Sequence, residues 1–240
     1  MIKFFRKIRY DLMGKNKTGK YLKYAIGEVL LIFIGVLIAL SASQWNNNKK
    51  DLAYETKALR EIYKGLQLDY SSLEILINNT EKGIKSITIL DSLLQQATPT
   101  YSKELDTLFG AIYGFRFFTM ERANYEDLKT NSLNLVKNDA LRQQLIMVFE
   151  SEYSKNEKIY NTEVWVNDIL RPFYLENFRD LNFYTSATPI NYESICKNIY
   201  YKNLVSYRLT FLRMVQKNSF MKMKHEMEKL MRLIEDYFDE

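Results

Sequence analysis

With 8 Gly and 3 Pro in 240 residues, the chain has too few turn formers for a loop-rich sandwich or barrel, and long stretches free of both favour helices. A hydrophobic content of 47% excludes wholesale disorder, and a single cysteine, Cys196, excludes an internal disulfide framework and any CxxC-based zinc or redox site. The pI of about 9.0 invites a nucleic-acid reading that the placement of the charge removes. Eight bases (Lys3, Arg6, Lys7, Arg9, Lys15, Lys17, Lys20 and Lys23) against Asp11 and Glu28 leave the first 28 residues at +6, so the remaining 26 bases and 27 acids sum to −1. No basic stripe of the kind that tracks phosphates is present, and no nucleic-acid partner is expected. The basic excess sits where it would face anionic lipid head groups.

Residues 1–23 form this basic tail, residues 24–45 a transmembrane helix, and residues 46–240 a soluble domain. Ala25 to Ser43 reads AIGEVLLIFIGVLIALSAS, with Glu28 its one charge, about the length that crosses a hydrocarbon core of roughly 30 Å. Tyr21 and Tyr24 stand at one end and Trp45 at the other, the interfacial positions that amphipathic aromatics prefer. Two rivals compete: a buried core helix, disfavoured because Val29 to Leu40 is apolar on every face, and a signal peptide cleaved at Ser43–Gln44. The long basic region and long apolar stretch favour a retained anchor. Lys49, Lys50, Lys57, Arg60 and Lys64 follow the helix, a weaker basic flank than the one before it, so the tail is expected to be cytoplasmic and the domain periplasmic in a bacterial inner membrane.

Glu28 either snorkels to the interface, paired with Lys20, Lys23 or a lipid amine, or contacts another membrane helix. Glu28, Gly35 and Ala42 repeat every seven residues, and Gly35, Ala39 and Ser43 every four, so Glu28 shares a face with small residues that let helix backbones approach closely. Glu28, Gly35, Ala39 and Ala42 are therefore the candidate helix–helix contact. The partner is a second copy of the chain or another membrane protein, in addition to the lipid bilayer itself.

Beyond Trp45 the pattern is that of a long amphipathic helix. Leu52, Leu59, Leu66, Leu73, Thr80, Ile87 and Leu94 fall at seven-residue spacing, interleaved with Ile62, Leu76 and Leu90. Glu55, Asp69 and Gly83 break this second row, so an antiparallel bundle seam is expected rather than an uninterrupted two-stranded coiled coil, with a kink near Asn78-Asn79 or Gly83. With no Pro or Gly at the junction, anchor and seam can form one continuous rod. Ala97-Thr98-Pro99-Thr100 marks a break, and Ser102 caps a short helix through Leu105, Leu108 and Phe109. Tyr113 to Met120, which contains GFRFF, reads as a loop or a buried extended piece. Asn124, Glu126 and Asp127 mark a helix start, and Asn138-Asp139 another, whose face Leu141, Leu145, Val148 and Phe149 continues through Ile159, Val166 and Ile169 to Pro172. Thr185 to Pro189 punctuates the chain, followed by helix around Ile195 to Leu204 and a C-terminal helix from Tyr207 to Phe238. The fold class is all-α, with five or six helices: an N-terminal transmembrane helix followed by a helical-bundle soluble domain with long helices.

No phosphate-binding glycine loop, nucleophile elbow, HExxH pair or EF-hand loop occurs. The sole histidine, His225, sits on a helix surface and supports neither a catalytic triad nor a His-rich metal site. Met214, Met221, Met223, Met227 and Met231 suggest a soft copper site less readily than core packing, since no His or Cys cluster accompanies them. Trp165, between Val164 and Val166, is expected in the core. No cofactor is expected, and no paired-carboxylate site stands out by spacing.

The strings MIKFFRKIR, KYLKYAIGEVLLIFIGVLIAL and QWNNN, with Tyr125-Glu126-Asp127-Leu128, Leu133-Asn134-Leu135-Val136 and Leu141-Arg142, resemble an uncharacterised single-pass membrane-protein family of Bacteroidota. That family often has Gly in the turn where Asn131 stands here. The resemblance implies the anchored architecture, includes Glu28 in a recurring string, and supplies no activity. The expectation is a membrane-anchored, non-enzymatic interaction protein, scaffold-like or adaptor-like. The alternative is a periplasmic ligand-binding or sensory bundle that signals through a partner membrane protein.

Overall fold

The computed structural model describes residues 18–96, 100–114, 116–117, 119–182 and 184–239. The basic tail before Thr18, most of the expected break at Pro99, and Phe115 and Phe118 of the GFRFF stretch lie outside them. The chain divides into two compact units, residues 1–56 and 57–240.

Helix α1 runs Thr18–Leu94, 77 residues without interruption. The kink expected at Asn78-Asn79 or Gly83 does not break it. In the first unit its side chains from Val29 to Leu40 are exposed on all sides, and Trp45 is exposed with Lys49 Nζ 5.8 Å from its ring centroid.

In the second unit a 3-10 turn, Lys103–Leu105, leads into α2, Asp106–Gly110. Ser102 stands at the start as expected, but its hydroxyl bonds Glu104 Oε2 at 2.7 Å and caps no backbone N–H. After an irregular stretch, α3 spans Ala123–Ser132. The run Asp139–Asn177 is helical throughout: α4 (Asp139–Ile146), a π-helical turn (Met147–Glu152) and α5 (Tyr153–Asn177). Asn138 caps it by accepting from Leu141 N at 3.1 Å, as its residue type demands. Pro172 does not end α5, which continues five residues further. Strands β1 (Phe178–Asn182) and β2 (Ser186–Pro189) form an antiparallel hairpin, followed by α6 (Tyr192–Lys197), α7 (Ile199–Phe211), a second π-helical turn (Leu212–Gln216) and α8 (Lys217–Asp239).

The architecture is all-α with this one small hairpin among the described residues, which falls where the sequence suggested only punctuation. Asp180 and Tyr184 take positive φ (54° and 67°) and the register shifts between Arg179 and Asn182, so the turn relies on residues other than Gly. The hairpin is seated by an aromatic cluster. Tyr174 stacks on Phe178 at 4.5 Å, and its hydroxyl donates to the Phe109 carbonyl at 2.8 Å. Gly110 is required here, because a Cβ would lie 2.3 Å from the Ser186 nitrogen.

The seven-residue row is buried from Leu59 to Leu94, whereas Leu52 is exposed. Alongside the row a ladder of side-chain contacts fixes an antiparallel register with the C-terminal helix. Tyr63 donates to Glu235, Tyr70 to Glu228 (2.7 Å), Lys224 to Glu74 (2.7 Å), and Lys217 pairs with Glu81 (2.7 Å). Each step forward along α1 is matched by an equal step back along α8. Exposed pairs of this kind contribute little energy singly, so the seam is held by the apolar rows, with Phe220, Met223, Met227, Leu230 and Ile234 fully buried on α8. Met223 and Met227 thus fill the core as expected, while Met214 and Met221 are exposed. Trp165 also departs from expectation: it is 54% exposed, edge-on to Tyr207 at 6.2 Å.

Leu73→Ala should lower unfolding free energy by about 2–5 kcal/mol, because it opens a cavity in the seam. Leu68→Ala, at a position 70% exposed, should change it by less than about 0.5 kcal/mol. Urea unfolding followed by circular dichroism separates the two; equal losses would mean that the buried face is misassigned.

Candidate functional site

The sequence nominated a face of the apolar segment of α1. Glu28 is half-buried, Gly35, Ala39 and Ala42 are exposed, and a Cβ built on Gly35 would meet nothing within 4 Å. All four lie on one helix at spacings of seven, four and three, hence on one side of it. The face is accessible for a neighbouring helix.

The second unit holds a site that the sequence did not nominate. On α5 the buried stripe is Ile159, Glu163, Val166 and Leu170; on α7 and the following π turn it is Tyr201, Val205, Arg208 and Leu212. The spacing is the same on both, and each stripe carries one charged residue in a core position. Glu163 and Arg208 meet there with no solvent exposure: Nη1 donates to Oε1 at 2.8 Å and Nη2 to Oε2 at 2.9 Å. This two-pronged geometry matches a planar guanidinium to a carboxylate.

The pair is tied to the irregular stretch after α2. Arg208 Nη2 also donates to the Gly114 carbonyl at 3.1 Å, and Gly114 N donates to Asn167 Oδ1 at 3.1 Å. Asn167 sits one turn beyond Glu163 and donates to the Glu163 carbonyl at 2.8 Å. Gly114 has φ +136°, and a Cβ there would fall 2.5 Å from the Tyr184 ring, so backbone freedom and close approach both demand glycine.

Two residues on, Arg116 is buried with 4% exposure. Its Nη2 donates to the Ala111 carbonyl at 2.6 Å, its guanidinium lies 5.5 Å from the Tyr184 ring centroid, and its own carbonyl accepts from Gln216 Nε2 at 2.5 Å. Gln216 belongs to the π-helical turn, an irregularity that frequently occurs at functional sites. Burial first, and then the nearby Arg208, pull the Arg116 pKa down to about 10, against the opposing pull of Glu163 and Tyr184. Gly83 of α1 makes room for it, since a Cβ there would lie 2.6 Å from Nη2. The glycine that interrupts the second heptad row is thus the seat of a buried guanidinium.

The other interruption within this unit behaves alike. Buried Asp69 accepts from Tyr153 Oη at 2.6 Å and from Glu121 N at 3.0 Å. Burial raises its carboxyl above the ordinary range, partly offset by those two donors.

Arg116 lines a cleft of about 540 Å³ together with Ile75, Asn79, Lys82, Phe117 and Tyr184, among other residues of α1, α2 and the hairpin turn. That volume lies within the range of small-molecule sites. No described lining residue is acidic. Among the described residues, no group of three or more His, Cys, Asp or Glu side chains gathers to hold a metal. His225 is on the surface of α8, and Cys196 is buried and free. Comparison with known protein families, curated proteins and solved structures finds no match for this chain.

Breaking the central pair from one side strands a charge in the core. Arg208→Met or Glu163→Leu alone should cost about 3–5 kcal/mol, and the double variant less than either single one. Denaturant titration of the four proteins measures this; strictly additive losses would show that the two groups do not depend on each other.

Proposed function

We propose that this chain is a non-enzymatic interaction module held on a bacterial inner membrane by one helix, with its N-terminal flank cytoplasmic and its large domain periplasmic. The observation that carries the reading is the exposure of the apolar segment. The one helix among the described residues that is long and apolar enough to cross a membrane has none of its apolar window buried. A core helix would be covered by other elements, whereas an apolar cylinder left bare in water is covered by lipid at no cost to its satisfied backbone. The charge asymmetry across this segment supports the orientation. In lipid, the Glu28–Gly35–Ala39–Ala42 face supplies what helix pairing requires, close backbone approach and a polar contact. The resemblance to the Bacteroidota family rests on the strings quoted for it and agrees with an anchored architecture. One observation favours the second reading, a ligand-binding or sensory bundle working through a partner membrane protein: the cleft over Arg116.

Protease added to spheroplasts should digest the domain and leave the basic flank protected. An intact domain would reverse the orientation, and a released fragment beginning at Gln44 would replace the anchor with a cleaved signal. In a membrane two-hybrid assay Gly35→Leu should weaken helix association by steric exclusion, Glu28→Gln less so, and Val36→Leu hardly at all. Equal signals from Gly35→Leu and Val36→Leu would reduce the segment to an anchor.

A further inference from the structure

The interior around Gly114 holds two guanidinium groups and one carboxylate. Glu163 commits both oxygens to Arg208, so Arg116 has no acid of its own among the described residues. Its Nη1 also has no hydrogen-bond partner among them. A desolvated charge without a counter-charge is strongly unfavourable, and the structure tolerates one here beside a cleft. We propose that the cleft binds the carboxylate of a small organic acid, with Arg116 as its counter-charge and the acid's apolar body against Ile75 and Phe117. This rests on the ligand-binding reading and adds the chemical class of the ligand.

Three features argue for this class. Arg116 is itself buried, so a ligand anion would meet a guanidinium already stripped of water, where the attraction is strongest. The buried excess is a single positive charge, which a monocarboxylate neutralises. Lys82, the other lining cation, is exposed and screened by solvent, so a phosphate dianion would leave negative charge in the interior. Finally, the lining sets the apolar side chains of Ile75, Leu76 and Phe117 among hydroxyl and amide groups such as Asn79 and Ser86, a mixture that suits an amphipathic molecule.

The test uses the full chain in phosphatidylcholine nanodiscs, with calorimetric titration of benzoate and phenylacetate, of the matching amides, and of inorganic phosphate. The acids should bind saturably, the amides should not, and phosphate should not displace the acids. Arg116→Gln should abolish binding. Gly83→Ala provides a second variant that keeps the charge: its methyl would sit 2.6 Å from Arg116 Nη2, while alanine favours the helix. It should weaken binding by roughly tenfold or more, the scale of a lost charged hydrogen bond. Amides that bind as well as acids overturn the carboxylate assignment and leave the ligand-binding reading standing. Displacement by phosphate overturns it in favour of a general oxyanion site. Absence of binding by either acid overturns the proposal, whereas the ligand-binding reading is judged separately, by whether a small molecule co-purifies with the full chain from membranes.

Discussion

Two helices of the domain each put one ionic residue where the packing pattern calls for an apolar one, and the two residues face each other. Glu163 and Arg208 are both without solvent exposure and share two hydrogen bonds. Taking both ions out of water is costly, and their attraction roughly offsets the cost only because the geometry is two-pronged and Nη2 also donates to the Gly114 carbonyl. What the pair contributes beyond that is position. Through Gly114 and Asn167 it fixes the irregular stretch that follows α2. That stretch in turn holds Tyr184 against Gly114 and sets Arg116 against Gly83. The cleft and its buried charge are consequences of where this one pair sits.

The seam between α1 and α8 obeys a different logic. Its energy comes from buried apolar rows, and its register is written in a ladder of Tyr–Glu and Lys–Glu contacts along the flank. The rows were legible in the sequence because heptad spacing survives any choice of partner: Leu59, Leu66 and Leu73 are buried whatever packs on them. The partner helix was not legible in the same way, since the ladder joins residues more than 120 positions apart. The interruptions in the second row were visible but not their meaning. Asp69 and Gly83 looked like defects in a coiled coil, and both are points where polar groups from distant segments enter the core.

The site itself left a fainter signal. Glu163 stands in phase with Ile159, Val166 and Leu170, and Arg208 in phase with Tyr201, Val205 and Leu212, so a charge on an apolar stripe was readable on each helix. Nothing local paired the two across 45 residues. The hairpin escaped for a related reason: its positive-φ positions are Asp180 and Tyr184 rather than Gly, and two strands of five and four residues carry little periodicity. Trp165 misled because its neighbours Val164 and Val166 suggested burial, although on a helix adjacent residues point in different directions. The long apolar segment of α1 was the easiest element to read. Its signal is composition alone, and its exposed, unbroken helix agrees with the composition.

The dependence of the irregular stretch on the buried pair is measured most directly by native-state hydrogen exchange at the Gly114 amide, which donates to Asn167 Oδ1 beside the pair. The account predicts that this amide exchanges as slowly as the core of α5, through unfolding of the whole domain. In Arg208→Met it should change to rapid local exchange while the α1–α8 seam stays protected. A Gly114 amide that exchanges at loop rates in the wild-type protein, or that stays slow when Arg208 is removed, would contradict the account.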